Sequence, residues 1–232
     1  MTYHVIKSKK IFSKGLVAAV LLFSTVAISS CEKNDIDDAG TAQLKVVNAS
    51  STSAEQRFFL VNKELTGDAL AYTEYSDYIS TYTGNRLVGS FRDAQTGAEV
   101  ADGELWMANG ERYTVYLAGS GSKARVKMFE DKLSTPSAGR ARIKFIHLSD
   151  GAPSDIRIKD ASGDNIVNSI SRNIASGYQN IPPGTLTFSI YGLSSGKLLG
   201  TFDVPDLLEG KNYSIYITGD SSNNLEVHKV QY

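Results

Sequence analysis

The chain repeats itself at a spacing of about 100 residues, and this duplication constrains the fold more than any other feature. Arg112-Tyr113-Thr114-Val115-Tyr116-Leu117-Ala118-Gly119 aligns at an offset of 100 with Asn212-Tyr213-Ser214-Ile215-Tyr216-Ile217-Thr218-Gly219, each apolar and aromatic position kept in kind. At the same offset Ser76, Tyr78 and Gly84 fall on Ser176, Tyr178 and Gly184. Near the starts, Ala42-Gln43-Leu44-Lys45-Val46-Val47-Asn48 faces Ala141-Arg142-Ile143-Lys144-Phe145-Ile146-His147 at an offset of 99. Three matched blocks in the same order predict two copies of one folding unit. The boundary falls in Ser134-Thr135-Pro136-Ser137-Ala138-Gly139, whose small, Pro- and Gly-containing composition reads as a linker. The expected division is residues 42–133, a linker at 134–140, and residues 141–232.

Within each copy the apolar residues recur every second position. Leu44 and Val46, then Ile143 and Phe145, alternate with polar neighbours, and Tyr113, Val115 and Leu117 alternate with Thr114 and Tyr116, as in strands buried on one face. Turn signals separate these runs at Thr96-Gly97, Asn109-Gly110, Gly119-Ser120-Gly121-Ser122, Pro182-Pro183-Gly184, Ser195-Gly196, Glu209-Gly210 and Gly219-Asp220-Ser221. The expectation is an all-β chain with strands near 42–48, 56–62, 86–92, 99–106, 111–118 and 123–129, and near 141–147, 154–159, 185–191, 197–203, 211–218 and 224–231. Residues 70–82 are read as irregular. With 232 residues and 41% hydrophobic content, the chain can bury a core without disulfides. Its balance of 24 basic against 25 acidic side chains lacks the basic excess of a nucleic-acid binder, so no nucleic-acid partner is expected.

The N-terminus carries Lys7, Lys9, Lys10 and Lys14 without an acid, followed by an almost purely apolar run from Gly15 to Ile28. This is the pattern of a signal peptide over residues 1–30, too short for a spanning helix, which needs about 20 residues. Ile28-Ser29-Ser30-Cys31 resembles the bacterial lipobox, which implies lipid on Cys31 and cleavage before it. Cys31 is the only cysteine, so it has no internal partner for a disulfide. Its acyl chains would make the outer membrane a partner. Residues 31–41 read as a solvated acidic tether, and Glu32, Asp35, Asp37 and Asp38 resemble the export signal that sends some Gram-negative lipoproteins to the cell exterior. A generic charged spacer and a periplasmic location are the alternatives. Without the signal-peptide lysines the chain carries 20 basic and 25 acidic groups, which suits solvent exposure.

Ile146-His147-Leu148-Ser149-Asp150-Gly151-Ala152-Pro153, Asp155-Ile156-Arg157-Ile158, Ser176-Gly177-Tyr178, Ile181-Pro182-Pro183-Gly184 and Tyr213-Ser214-Ile215 together resemble the DUF4397 domain of bacterial exported proteins. The resemblance spans nearly all of residues 141–232 and extends more loosely over 42–133. There Asn48 replaces the histidine and Tyr82-Thr83 replaces Pro182-Pro183. It implies immunoglobulin-like or transthyretin-like β-sandwiches, two in tandem after a lipoprotein signal peptide, and transfers no activity.

The candidate chemistry is sparse. His4 lies in the signal segment, and neither His147 nor His228 has a second ligand at metal spacing, so no metal is expected. His147 is expected to fix the turn that follows it. No Gly-x-Ser-x-Gly elbow follows a strand, and Gly119-Ser120-Gly121 reads as a hairpin tip. Asp150, Asp155, Asp160 and Asp164 cluster in loops without a calcium-loop spacing. Carboxylate pairs for glycoside hydrolysis leave no linear signature. No catalytic residue, cofactor or enzymatic role is expected. Tyr72, Tyr75 and Tyr82, with Phe58 and Phe59 near in sequence, are the candidate contact surface, since tyrosine gives flat amphipathic contacts. Tyr78, matched by Tyr178, and Trp106, between Leu105 and Met107, are expected to pack inside. The functional expectation is a non-enzymatic binding or scaffolding module with an extracellular glycan or protein as partner. The alternatives are a glycan-binding accessory of a polysaccharide uptake system and a structural component of a surface assembly, joined by strand addition at residues 225–232.

Overall fold

The period-two runs form strands in a computed structural model that describes residues 34–221 and 223–232. The signal segment, Cys31 and Glu32 lie outside the described residues. The first half contains β1 (Asp35–Asn48), β2 (Gln56–Leu60), β3 (Lys63–Glu64), β4 (Ile79–Asp93), β5 (Glu99–Met107), β6 (Arg112–Ala118) and β7 (Arg125–Glu130). The second contains β8 (Ala141–His147), β9 (Asp155–Asp160), β10 (Asn165–Ser171), β11 (Gln179–Ile181), β12 (Gly184–Gly192), β13 (Leu198–Leu207), β14 (Asn212–Thr218) and β15 (Glu226–Gln231). The chain is all-β, as its periodicity predicts. β3, β10 and β11 are additional to the expected strands. In β10 the buried residues Val167 and Ile170 stand three apart, because the ladder with β9 shifts register between them, and the shift conceals the period.

The two halves share their pairing scheme. β1 lies parallel to β6 with Leu44 opposite Tyr113, and β8 lies parallel to β14 with Ile143 opposite Tyr213. Ser76 Oγ accepts the Val46 amide as Ser176 Oγ accepts that of Phe145. The Tyr113 hydroxyl accepts the Ala108 amide as the Tyr213 hydroxyl accepts that of Leu208. The halves differ where Pro182-Pro183 stands. Without amide donors, two prolines end the ladder, so the second half divides into two four-stranded sheets, β11-β8-β14-β15 and β10-β9-β12-β13. In the first half Tyr82-Thr83 carry β4 straight through. One seven-stranded sheet results, ordered β3-β2-β4-β1-β6-β7 with β5 also on β4. Gly84 is needed in that passage: its φ is +147°, and a Cβ there would lie 2.1 Å from the Asp35 carbonyl oxygen.

That contact belongs to a correction. The expected tether to residue 41 is already strand from Asp35, because Asp35, Ile36 and Asp37 pair with Asn85, Gly84 and Thr83 of β4. The acids are exposed and the ladder is made by the backbone, with Thr83 donating to Asp37 and Asn85 to Asp35 across it, which composition does not reveal.

Each half has its own core, one built on Leu44, Phe58, Leu87, Phe91 and Val115, the other on Ile143, Phe145, Ile158, Phe188 and Ile215. A second correction concerns the strands between them. β6 and β14 are buried on both faces, so Thr114, Tyr116, Ser214 and Tyr216 are fully enclosed. Their outer faces form a third core of Val47, Ala49, Tyr116, Ala118, Ile146, Leu148, Tyr216 and Val230. Tyr116 and Tyr216 meet edge to face with ring centroids 5.5 Å apart. The residues of both halves accordingly belong to one compact unit. The linker is tied down as well: Ser137 donates its amide to Asn180 Oδ1 and Gly139 its amide to Glu209 Oε1.

Polar groups flank this seam. Lys144 Nζ lies 2.9 Å from Asp131 Oδ1, both side chains almost wholly buried. Asp131 Oδ2 accepts from Thr114 Oγ1 at 2.5 Å and from the Tyr78 hydroxyl at 2.9 Å. Burial pushes the Lys144 ammonium down, while Asp131 favours its charge. Elsewhere along the seam, the Tyr72 hydroxyl donates to Glu226 Oε2 at 2.7 Å and lies 3.0 Å from His228 Nε2. His147 is fully buried, with Nε2 2.9 Å from the Pro153 carbonyl, which fixes the turn as expected. Asn48 does the same work in the first half, donating to the Leu70 carbonyl and accepting from Ser50 and Ser53.

Two outcomes follow. Asp131→Ala leaves Lys144 buried without its counter-charge and should cost about 3–5 kcal/mol in urea unfolding. Asp131→Leu combined with Lys144→Met should recover most of that loss. Burial holds both His147 and His228 below the ordinary 6.5, so the unfolded chain takes up protons that the folded chain does not. Their contribution to stability is complete above that pH and is lost as pH falls through it. The urea midpoint should therefore be lower at about pH 5.5 than at about pH 7.5, and His147→Asn should shrink the difference.

Candidate functional site

The strands that build the seam also leave a cleft at its flank. β5 and β7 are the two edges of the first half that face each other without pairing, and the cleft between them has a volume of about 300 Å³. Glu104, Leu105, Trp106, Val126, Lys127 and Met128 line it, together with Asn173 from the second half. Alternation along β5 turns Ala101, Leu105 and Met107 into the core and sends Glu104 and Trp106 outward. Trp106 is 53% exposed, which corrects the expectation that it packs inside. The parity of its neighbours carries the signal: a residue between two core-facing positions of a strand points away from the core.

The polar groups around the indole are held in place. Arg86 grips the Glu104 carboxylate through Nε at 3.2 Å and Nη2 at 3.0 Å. Arg125 Nε donates to Asn173 Oδ1 at 2.7 Å, which leaves the Asn173 amide group facing away from the guanidinium. Arg125 also pairs with Asp150 at 2.8 Å and donates to the Leu148 carbonyl, so the position of Asn173 depends on contact between the halves. The arrangement offers one aromatic plane, one fixed carboxylate, one amide and the Lys127 ammonium. It can bind; it contains no paired acid and base for proton transfer.

The expected contact tyrosines are separated by their partners. Tyr72 places its hydroxyl in the seam against Thr218, Glu226 and His228, where burial raises its pKa. Tyr82 donates to the Leu60 carbonyl and packs on the first core. Tyr75 is exposed, with the Lys45 ammonium 5.0 Å from its ring centroid. Tyr78 is half-buried against Asp131, and Lys45 and Arg112 sit over its ring. Phe58 is core, packed on Phe91 at 4.9 Å, while Arg92 covers Phe59.

Three of the four loop acids are occupied by nearby groups. Asp150 pairs with Arg125, Asp155 accepts from Ser154 and Ser171, and Asp160 accepts the amides of Ser162 and Asp164. Among the described residues no group of three or more His, Cys, Asp or Glu could hold a metal ion. Asp35, Asp37 and Asp38 sit exposed on β1. β15 is the end strand of its sheet, yet Lys229 ties it to the Pro205 carbonyl of β13 and Tyr232 anchors it in the seam through Ser214. No helix among the described residues is long and apolar enough to cross a membrane.

Comparison with solved structures finds loose likenesses. The chain is similar to the family 26 carbohydrate-binding module CBMbc of Amy13K from Eubacterium rectale, solved with maltoheptaose, at 12% identity and a TM-score of 0.28, covering 82% of this chain and 97% of that one. It is similar to a candidate cell adhesion protein from Bacteroides uniformis at 12% identity and a TM-score of 0.27, covering 84% and 98%. The fimbrial anchor protein Mfa2 from Porphyromonas gingivalis matches at 10% identity and a TM-score of 0.19, covering 82% and 97%. No curated protein matches the chain. The family described as "Domain of unknown function (DUF4397)" matches residues 42–159, just over half of the sequence. That match takes in the looser first half and the Ile146–Pro153 motif together, rather than residues 141–232. With its paired parallel strands and the motif around His147 in place, this chain belongs to the DUF4397 family.

Proposed function

We propose that this chain is an outer-membrane lipoprotein, held by acyl chains on Cys31 and facing the cell exterior, that acts as a non-enzymatic binding module. The observation that carries the binding role is Trp106. The indole is more than half exposed and lines a cleft beside Glu104 and Asn173, and tryptophan combines a large flat apolar face with a polar N–H, the type of side chain enriched at binding hot spots. Glu104 and Asn173 beside it are fixed by an ion pair and a hydrogen bond, which lowers the entropy lost on binding. The two halves are read as a duplicated unit whose copies have fused through the seam. The fused pair supplies a rigid support, and the first copy supplies the contact site. The lipobox-like residues before Cys31 and the acids after it support the anchoring and the outward location.

Protease treatment of intact cells carrying an epitope-tagged full chain tests the location. Degradation of the wild type, and its abolition when Asp35, Asp37 and Asp38 are changed together to Asn, is the expected result. Cys31→Ala should release the protein from the membrane fraction. Protection of the wild type until lysis would move the module to the periplasmic face.

A further inference from the structure

The Trp106 cleft has a counterpart in the second half, and the counterpart is closed. Val204 stands opposite Leu186 as Leu105 stands opposite Leu87, and Leu207 opposite Gly184 as Met107 opposite Gly84, so the bulged pair Pro205-Asp206 stands where the first half has Trp106. Lys229 stands opposite Ile215 as Met128 stands opposite Val115, so Lys229 takes the place of the cleft-lining Met128. Lys229 reaches across from β15 and donates to the Pro205 carbonyl at 2.5 Å. One strand-edge gap is therefore bridged by a lysine and has no indole. The other bears the only tryptophan of the chain and borrows Asn173 from the opposite half.

We propose that the gap between β5 and β7 is a saccharide site that takes a neutral hexopyranose ring within an oligosaccharide. This rests on the binding-module reading above and names its ligand class. A pyranose has an apolar face of C–H groups and a polar rim of hydroxyls. The face suits the flat indole, and the rim needs donors and acceptors at the edge of that plane. The Glu104 carboxylate, fixed by Arg86, accepts from two hydroxyls; the Asn173 amide and the Lys127 ammonium donate to others. About 300 Å³ is at the small end of ligand sites and admits a single ring with its neighbours extending outward along the strand edges. Arg86 is paired with Glu104 and Arg125 with Asp150, and Lys127 is the one basic residue of the lining, so the cleft does not offer the cluster of cations that an acidic sugar would require. A protein hot spot is the poorer match, since such residues sit in dry, apolar surroundings and this indole shares its cleft with Glu104, Lys127 and Asn173.

Because Trp106 is the sole tryptophan, the tryptophan emission of the full chain reports on this cleft alone. Titration with gluco-, xylo-, manno- and galacto-oligosaccharides of about four to six units should give a saturable blue shift with at least one series, since an aromatic anchor loses water on burial. In affinity gels containing the matching polysaccharide, Trp106→Ala should weaken retention by about tenfold or more, and Asn173→Ala by a smaller factor. Trp106→Phe should keep most of it, and Tyr75→Ala should change nothing. No spectral shift and no retention with any of the four series would overturn the saccharide assignment. Capture of the full chain on isolated cell envelopes separates the two readings. If Trp106→Ala abolishes capture and periodate oxidation of envelope sugars does so too, both stand. If capture needs Trp106 but survives periodate and is lost after proteinase treatment, the module binds a protein and the saccharide proposal falls alone. If Trp106→Ala leaves envelope capture unchanged, both fall.

Discussion

Everything else in this molecule depends on the burial of the second face of its two parallel strand pairs. A sheet in a small sandwich usually keeps one face for the core and one for water. Here β1 and β6 turn Val47 and Tyr116 outward, and β8 and β14 turn Ile146 and Tyr216 outward, so neither half could stand in water without a large apolar face. Packing those faces together removes two liabilities at once and fixes the relative position of the loops. Arg125 can hold Asn173, and Glu226 can receive Tyr72, only because the sheets behind them are already in contact.

Much of this was written in the sequence. The block repeated at an offset of 100 marks β6 and β14, and the all-β class follows from period two. Ser76 and Ser176, aligned by spacing alone, prove to make the same hydrogen bond to the neighbouring strand. What stayed hidden has identifiable physical causes. Tyr116 and Thr114 read as the wet side of a strand because alternation shows which residues share a face and not what covers that face. The strand at Asp35 was masked by acidic side chains that leave its backbone pairing untouched. Trp106 was legible in principle from the parity of Leu105 and Met107, but residue type outweighed position. Asn173 and Arg125 stand 48 residues apart, and no linear signal joins them.

The shared pairing scheme of the two halves also makes their differences legible. Both halves have a gap between their last strand and the strand that faces it. In the second half Lys229 bridges it. The first half keeps equal support from its core and from the seam, so Met128 and Trp106 can occupy the gap without serving as its closure. The prolines have a similar asymmetric effect. Pro182-Pro183 separates two sheets in the second half, while Tyr82-Thr83 lets β4 carry both layers of the first.

That continuous strand has a mechanical consequence. Gly84 of β4 is paired with Ile36 of β1 on one side and with Met107, next to Trp106, on the other. Tension between Trp106 and the start of β1 would cross two strand ladders at one point. The second half would join that path only through Asn173 and the contacts that Arg125 makes with it.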